Sequence, residues 1–402
     1  NPILNAKVAT DIMRQMSISL GFERLIDSGR IRGHRVGLVC NLASIDKSLQ
    51  HISTRFANEP SVTLNALFGP QHGFESNDQD NMVETSHSHH SIHDIPIYSL
   101  YSETRTPTTD MLRDLDVLVI DLQDVGTRVY TYLYTMANCL RACRQHDIPV
   151  IVTDRPNPIG GISVEGPLLD ETYSSFVGQF AIPLRHGMTI GEAANLFNDH
   201  FGIGAKLEVF KMEGWTRQMY FDDTSLPWIP PSPNLPTLDS AIVYPGNVLI
   251  EGTNLSEGRG TTLPFELIGA PWINAEQLVT DLNAVDLPGV YFRQKTFEPT
   301  FQKHAQSVCH GCQIHVHDRT TYKPILTTAA LLLACQQAHP NFFSWRKPPY
   351  EYEHVKLPID ILSGSAHLRE HIEANAPLAK LETDWTTDLS SFSPIREKFL
   401  IY

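Results

Sequence analysis

Much that would tie a chain to a specialised environment is scarce here. The 402 residues include only six cysteines, Cys40, Cys139, Cys143, Cys309, Cys312 and Cys335, too few at this length for a disulfide scaffold. No apolar run approaches the ~20 residues needed to cross a bilayer. The longest candidate, Ile325 to Cys335, is short and reads as a buried helix, so no transmembrane segment is expected. Basic charge is also scarce, with 31 Lys and Arg against 45 Asp and Glu and a net charge of -14. A nucleic-acid binder needs a basic stripe that displaces counterions; here acidic residues run along the whole chain, and no nucleic-acid partner is expected. The same field repels anions, so an anionic ligand must meet a local arginine cluster.

Several catalytic signatures are missing as well. The first strand-like run ends in CNLAS and carries no G-x-G-x-x-G, and neither a Walker A loop nor a G-x-S-x-G elbow occurs. Their absence argues against a nucleotide cofactor. The run CHGCQIHVHD, Cys309 to Asp318, has C-x-x-C spacing with two histidines on one strand face, but zinc sites separate their ligand pairs by a longer loop. The run HSHHSIH, His87 to His93, reads as a solvated loop. No metal and no cofactor are expected.

What is present is an ordinary globular composition, 42% hydrophobic and 19% charged, in a chain too long for one hydrophobic core. Two domains follow, 1–270 and 271–402. In the first, Arg35 to Asn41, Thr63 to Phe68, Asp116 to Asp121 and Pro149 to Asp154 are short Val, Ile and Leu runs suited to strands buried on both faces. Tyr130 to His146, between the last two, repeats its apolar residues at helical spacing. Strand, helix, strand at this length predicts a doubly wound, mostly parallel sheet. Thr189 to Glu192 is a capping box opening a second helix. Pro227 to Pro236 excludes helix and inner strand and reads as a linker or cleft wall, followed by a strand-like run, AIVYPGNVLI. The C-terminal part predicts a smaller α/β unit, with helices at Ala275–Val285 and Ile325–Ala338, strands at Gly289–Arg293 and Gln313–His317, and an amphipathic helical tail from Ala366 to Phe399.

In an open parallel sheet, ligands bind beyond the carboxyl ends of the strands. The glycine-rich polar segments sit there: GPQHGF (Gly69 to Phe74), DLQDVGTRVYTY (Asp121 to Tyr132), and DRPNPIGG (Asp154 to Gly161) leading to VEGP at Glu165. Turn residues alone would produce some of this pattern. Three successive loops with His, Asp and Arg embedded favour a site. A further polar segment, EGTNLSEGRGTTLPFE (Glu251 to Glu266), holds three glutamates and an arginine.

These segments, with RHGMT at Arg185 to Thr189 and PPSPNLPT, resemble in the same order the NamZ (YbbC-like) family, from about Gly37 to Tyr402. The resemblance implies an exo-acting β-N-acetylmuramidase that releases N-acetylmuramic acid from non-reducing ends of peptidoglycan fragments. It implies a Rossmann-like α/β domain and a smaller α/β domain with the site in the cleft between them. It also implies saccharide or muropeptide partners and a periplasmic or extracellular location. One position departs from the pattern: many members have P-E-H-G where this chain has Pro70-Gln71-His72-Gly73. A glutamine cannot exchange a proton at neutral pH, while glycoside hydrolysis normally needs two carboxyl groups. The catalytic candidates are Glu251, Glu257 and Asp124, with Gln71 and His72 at the altered motif; Asp121, Glu75 and Glu84 are further carboxyls nearby. For the lactyl carboxylate of muramic acid the candidates are Arg128, Arg155, Arg185 and Arg259. Tyr130, Tyr132 and Trp228 offer flat faces to a sugar. Asp154, Asn157, Glu165, His186 and Asn254 complete the binding candidates. The competing reading, favoured by Gln71, is a non-catalytic peptidoglycan- or sugar-binding protein.

Overall fold

A computed structural model describes residues 18–80 and 82–402. The larger sheet contains β1 (Arg35–Val39), β2 (Thr63–Gly69), β3 (Ser88–His90), β4 (Ile95–Ser99), β5 (Val117–Ile120) and β6 (Val150–Thr153). A small ladder pairs β7 (Glu165–Leu168) with β8 (Pro183–Arg185), and β9 (Leu207–Phe210) returns to the large sheet. Its strand order is β3-β4-β2-β1-β5-β6-β9. All pairings are parallel except β3 with β4. Every residue of β5 (VLVI) and β6 (VIVT) is buried, as a strand covered on both faces requires. The helix Tyr132–Gln145 connects them, burying Leu133, Met136, Ala137 and Leu140. Each of the Leu and Met side chains contributes about 1.5–3 kcal/mol when fully buried. From β1 the chain winds outward to β2 and β4 and then restarts on the other side at β5. The carboxyl ends of β1, β2 and β5 therefore frame a topological switch point.

The C-terminal part holds a three-stranded antiparallel sheet, in the order β10 (Leu267–Ala270), β12 (Cys309–Val316), β11 (Val290–Phe297). The buried helix Pro324–Ala338 belongs to this part and packs against the helix Leu238–Asn247. At the junction Gly246 allows the close approach: a Cβ there would lie 2.0 Å from the Pro324 carbonyl oxygen. One continuous apolar cluster runs from Leu133 through Val243 to Leu331, so the two parts are packed together.

Three expectations need correction. AIVYPGNVLI forms no strand; it lies in the helix Leu238–Asn247 and the 3-10 turn Val248–Gly252. The Thr237 hydroxyl caps that helix, and every residue from Ser240 to Asn247 is buried. A fully buried apolar run carries no periodicity that separates helix from strand. The His87–His93 run is not all loop, because Ser88–His90 pairs antiparallel with β4 at the sheet edge. The tail is two helices, His367–Glu373 and Leu378–Glu397, separated at Asn375, where φ is 51°.

Candidate active site

The pocket at the joint of the two parts begins with Gln71. It lies two residues beyond the end of β2 and is only 6% exposed. Its amide is fixed at both ends: Thr131 Oγ1 donates to Oε1 at 2.8 Å, and Nε2 donates to Glu351 Oε1 at 3.2 Å. His72 next to it is in left-handed backbone geometry (φ 70°), with Nδ1 2.7 Å from the Asp78 carbonyl oxygen. Burial lowers its pKa to about 4, so this imidazole is neutral at physiological pH.

The opposite wall comes from the Glu251–Glu266 segment. Gly258 and Gly260 take φ of 79° and 80°, and a Cβ on Gly260 would lie 2.6 Å from the Phe301 carbonyl oxygen. That tight path turns Arg259 back between two carboxylates. It reaches Glu251 at 2.8 Å and Glu257 at 3.0 Å. Lys303 meets the other oxygen of Glu257 at 2.7 Å and also donates to the Ile250 and Thr253 carbonyls. Burial alone would raise the Glu257 pKa; Lys303 and Arg259 overcome it and hold the group as a carboxylate below its ordinary range. Arg259 also lies 5.0 Å over the ring of Phe265. The second oxygen of Glu251 accepts from the Tyr350 hydroxyl at 2.8 Å.

Aromatic faces line the walls between. Tyr130 stacks obliquely on Tyr132, with ring centroids 4.6 Å apart, and meets the edge of Tyr244. Asn41, at the end of β1, donates to the Tyr132 hydroxyl and to the Pro231 carbonyl, both at 2.8 Å. These bonds anchor the proline-rich stretch as a pocket wall, which contributes Ser232, Asn234 and Leu235. The space between the walls, open mouth included, is about 520 Å³.

The sequence candidates therefore separate into two groups. Gln71, His72, Tyr130, Tyr132, Glu251 and Arg259 line this pocket, with Glu257 directly behind Arg259. The others stand elsewhere. Arg128 is fully buried and donates to the carbonyls of Pro167, Ile182 and Leu362. Arg155 pairs with Asp121 and reaches the Ile45 carbonyl at 2.9 Å. Arg185 donates to the Ile159 carbonyl. Asp124 accepts from the Gly126 amide at 2.7 Å and lies 3.3 Å from His186. Asn157 is spent on the Met188 carbonyl and the Ile159 amide.

Asp154 accepts from Thr189, Gly191 and Tyr402, and burial pushes its pKa up to about 7 against those bonds. Glu165 accepts from the Leu326 amide, and its pKa is likewise raised by burial to about 7. Asn254 binds the Phe342 and Ser344 backbone, and Trp228 packs edge-on against Phe221. Glu84 pairs with Arg105, and Glu75 lines a separate pocket beside β3 and β4.

Sequence reasoning missed Glu351. It lies in the turn Tyr350–Glu353, is 4% exposed, and lines the pocket beside Gln71. Its other oxygen accepts from the Tyr101 hydroxyl at 2.8 Å. The only local signal is PPYEYE, a proline pair followed by alternating tyrosine and glutamate, which follows no strand of the large sheet.

Two family models match the chain, the N-terminal part of exo-β-N-acetylmuramidase NamZ over residues 36–239 and its C-terminal part over residues 242–402. The peptidoglycan β-N-acetylmuramidase NamZ of Bacillus subtilis (strain 168) is 43% identical over 97% of this chain and 92% of its own length. A DUF1343 family crystal structure from Bacteroides fragilis superposes with a TM-score of 0.87 at 33% identity, covering 96% of this chain and 99% of that one. A second DUF1343 protein of the same organism gives a TM-score of 0.72 at 26% identity, with the same coverage. With both family models matched in order and a relative this similar along nearly its whole length, the chain belongs to the NamZ family.

Proposed function

We propose that the chain is a peptidoglycan-directed glycoside hydrolase, an exo-β-N-acetylmuramidase that releases N-acetylmuramic acid from the non-reducing ends of wall fragments. The observation that carries this reading is the pairing of two buried carboxyl groups in one tyrosine-walled pocket. Glu251 is ion-paired with Arg259, and Glu351 is bonded only to neutral donors in the contacts described above. Two carboxyls in unlike surroundings are what hydrolysis of a glycosidic bond calls on. Glu251, held against the Arg259 guanidinium, suits stabilisation of positive charge developing at the anomeric carbon. Of the four candidate arginines, Arg259 is the one at the pocket. Two of its nitrogens are committed to Glu251 and Glu257, and its buried Nε has no hydrogen-bond partner among the described residues. It is our candidate for the lactyl carboxylate. A wall substrate places the enzyme in the periplasm or outside the cell; among the described residues no helix is long and apolar enough to cross a membrane.

The test is product analysis on MurNAc-β1,4-GlcNAc and on its GlcNAc-terminated counterpart. Release of free N-acetylmuramic acid from the first and little from the second is expected. Binding of the first without any release would favour the sugar-binding reading that Gln71 invites.

A further inference from the structure

Resting on the glycosidase reading above, we infer that Glu351 is the proton donor to the glycosidic oxygen, with Gln71 and Tyr101 as positioning residues. The carboxyl is aimed by its own backbone. Glu351 and Tyr352 take φ of 43° and 67° inside a turn closed by two backbone bonds of 2.9 Å between Tyr350 and Glu353. Consecutive left-handed residues without glycine are costly and persist only where surrounding contacts impose them. Here those contacts are the bonds of Tyr350 to Glu251 and of Glu351 to Gln71 and Tyr101. The strained turn thus delivers a carboxyl into the pocket at a point 280 residues along the chain from Gln71.

The surroundings favour a carboxyl that keeps its proton. An amide and a phenol hold its two oxygens, whereas Glu251 and Glu257 both bind Arg259. Burial, reinforced by nearby Glu251, pushes the Glu351 pKa up to about 7, while the bonds from Tyr101 and Gln71 limit the rise. Each carboxyl oxygen has a second lone-pair position, so Glu351 can carry a proton without losing either bond.

The altered motif position fits the same assignment. A glutamate at 71 would put two carboxyls in hydrogen-bond contact sharing one proton. The Gln71 amide leaves Glu351 as the proton-bearing member of that pair. In the step itself, the Glu351 proton passes to the glycosidic oxygen as the C1–O bond breaks and its electron pair stays on that oxygen. Glu351 is left as carboxylate. Water then adds hydroxide to C1, and the proton it releases restores the acid, so one water is consumed per bond.

The test compares Glu351→Gln with wild type on two substrates. MurNAc-GlcNAc has a leaving alcohol that needs a proton; 2,4-dinitrophenyl β-MurNAc has a leaving group that departs without one. Turnover of the disaccharide is expected to fall about 100- to 10,000-fold, and that of the dinitrophenyl glycoside by no more than about tenfold. Wild-type kcat/KM on the disaccharide is expected to fall as pH rises through about 7. Tyr101→Phe removes a bond that favours the charged form and is expected to move that limb to higher pH. Equal losses on both substrates, no loss on either, or an unmoved limb in Tyr101→Phe would each overturn the assignment. Should Glu351→Gln not fold, Glu351→Asp must retain the alkaline limb at reduced kcat, and its disappearance overturns the assignment too. A wild type that turns over neither substrate overturns the glycosidase reading and this inference with it, whereas an active wild type with an unaffected Glu351→Gln overturns the inference alone.

Discussion

Gln71 and Asp154 both follow the carboxyl end of a buried parallel strand, yet they face different worlds. Gln71 turns into the pocket and touches Glu351 across the joint between the two parts. Asp154 turns inward, where Thr189, the Gly191 amide and Tyr402 occupy its carboxyl. The same contrast divides Arg259, held between pocket glutamates, from Arg128, consumed by three backbone carbonyls. Polar loops at one edge of a sheet thus do two jobs. Some present chemistry, and others satisfy backbone groups that the winding of the chain leaves buried.

Substitutions on either side of this divide should separate activity from stability. The largest effect is expected for Glu251→Gln, with turnover falling about 100- to 10,000-fold while the thermal midpoint stays near that of wild type. A loss of fold in place of activity would move Glu251 to the structural side. Next is Arg128→Met, which leaves the Pro167, Ile182 and Leu362 carbonyls without their donor. Stability should drop by about 3 kcal/mol or more, since each buried unsatisfied group costs about 1–3 kcal/mol. The folded fraction should keep its kcat, and a drop in kcat at full folding would put Arg128 in the chemistry.

Arg259→Lys keeps the charge and removes the Nε donor. Preference for muramic over glucosamine substrates should weaken by about 1.5–3 kcal/mol, read as the ratio of kcat/KM values; an unchanged ratio rules Arg259 out as the reader of the lactyl group. A further effect is a pH dependence of stability. The folded-state pKa values of Asp154 and Glu165 are raised to about 7. The folded protein therefore binds protons more tightly than the unfolded chain. Their stabilising contribution is full below about pH 4 and is lost as pH rises through about 7. Denaturant midpoints measured across that range should show the decline, and Asp154→Asn with Glu165→Gln should flatten it. An unflattened curve assigns the decline to other groups.

Much of this arrangement was legible in the sequence. The four Val, Ile and Leu runs from Arg35 to Asp154 mark buried parallel strands because two-sided burial demands continuous apolar residues. The loops after them sit at the edge where a doubly wound sheet binds ligands. What the pattern does not encode is which way each polar side chain turns. Asp124, Asn157 and Arg155 have the residue types of a site, and only the packed structure shows their partners to be His186, the Met188 carbonyl and Asp121. Glu351 was invisible for the opposite reason. Its neighbours Gln71 and Tyr101 are at least 250 residues away, and long-range contact has no local signature.

The most direct test of the joint pocket as the working site is a crystal structure of Glu351→Gln with MurNAc-GlcNAc bound. The expected result is the muramic ring in the pocket lined by Tyr130 and Tyr244, with the glycosidic oxygen within hydrogen-bond reach of residue 351 and the anomeric carbon facing Glu251. A sugar seated instead in the pocket beside β3 and β4, or at the Asp124–His186 pair, would contradict it.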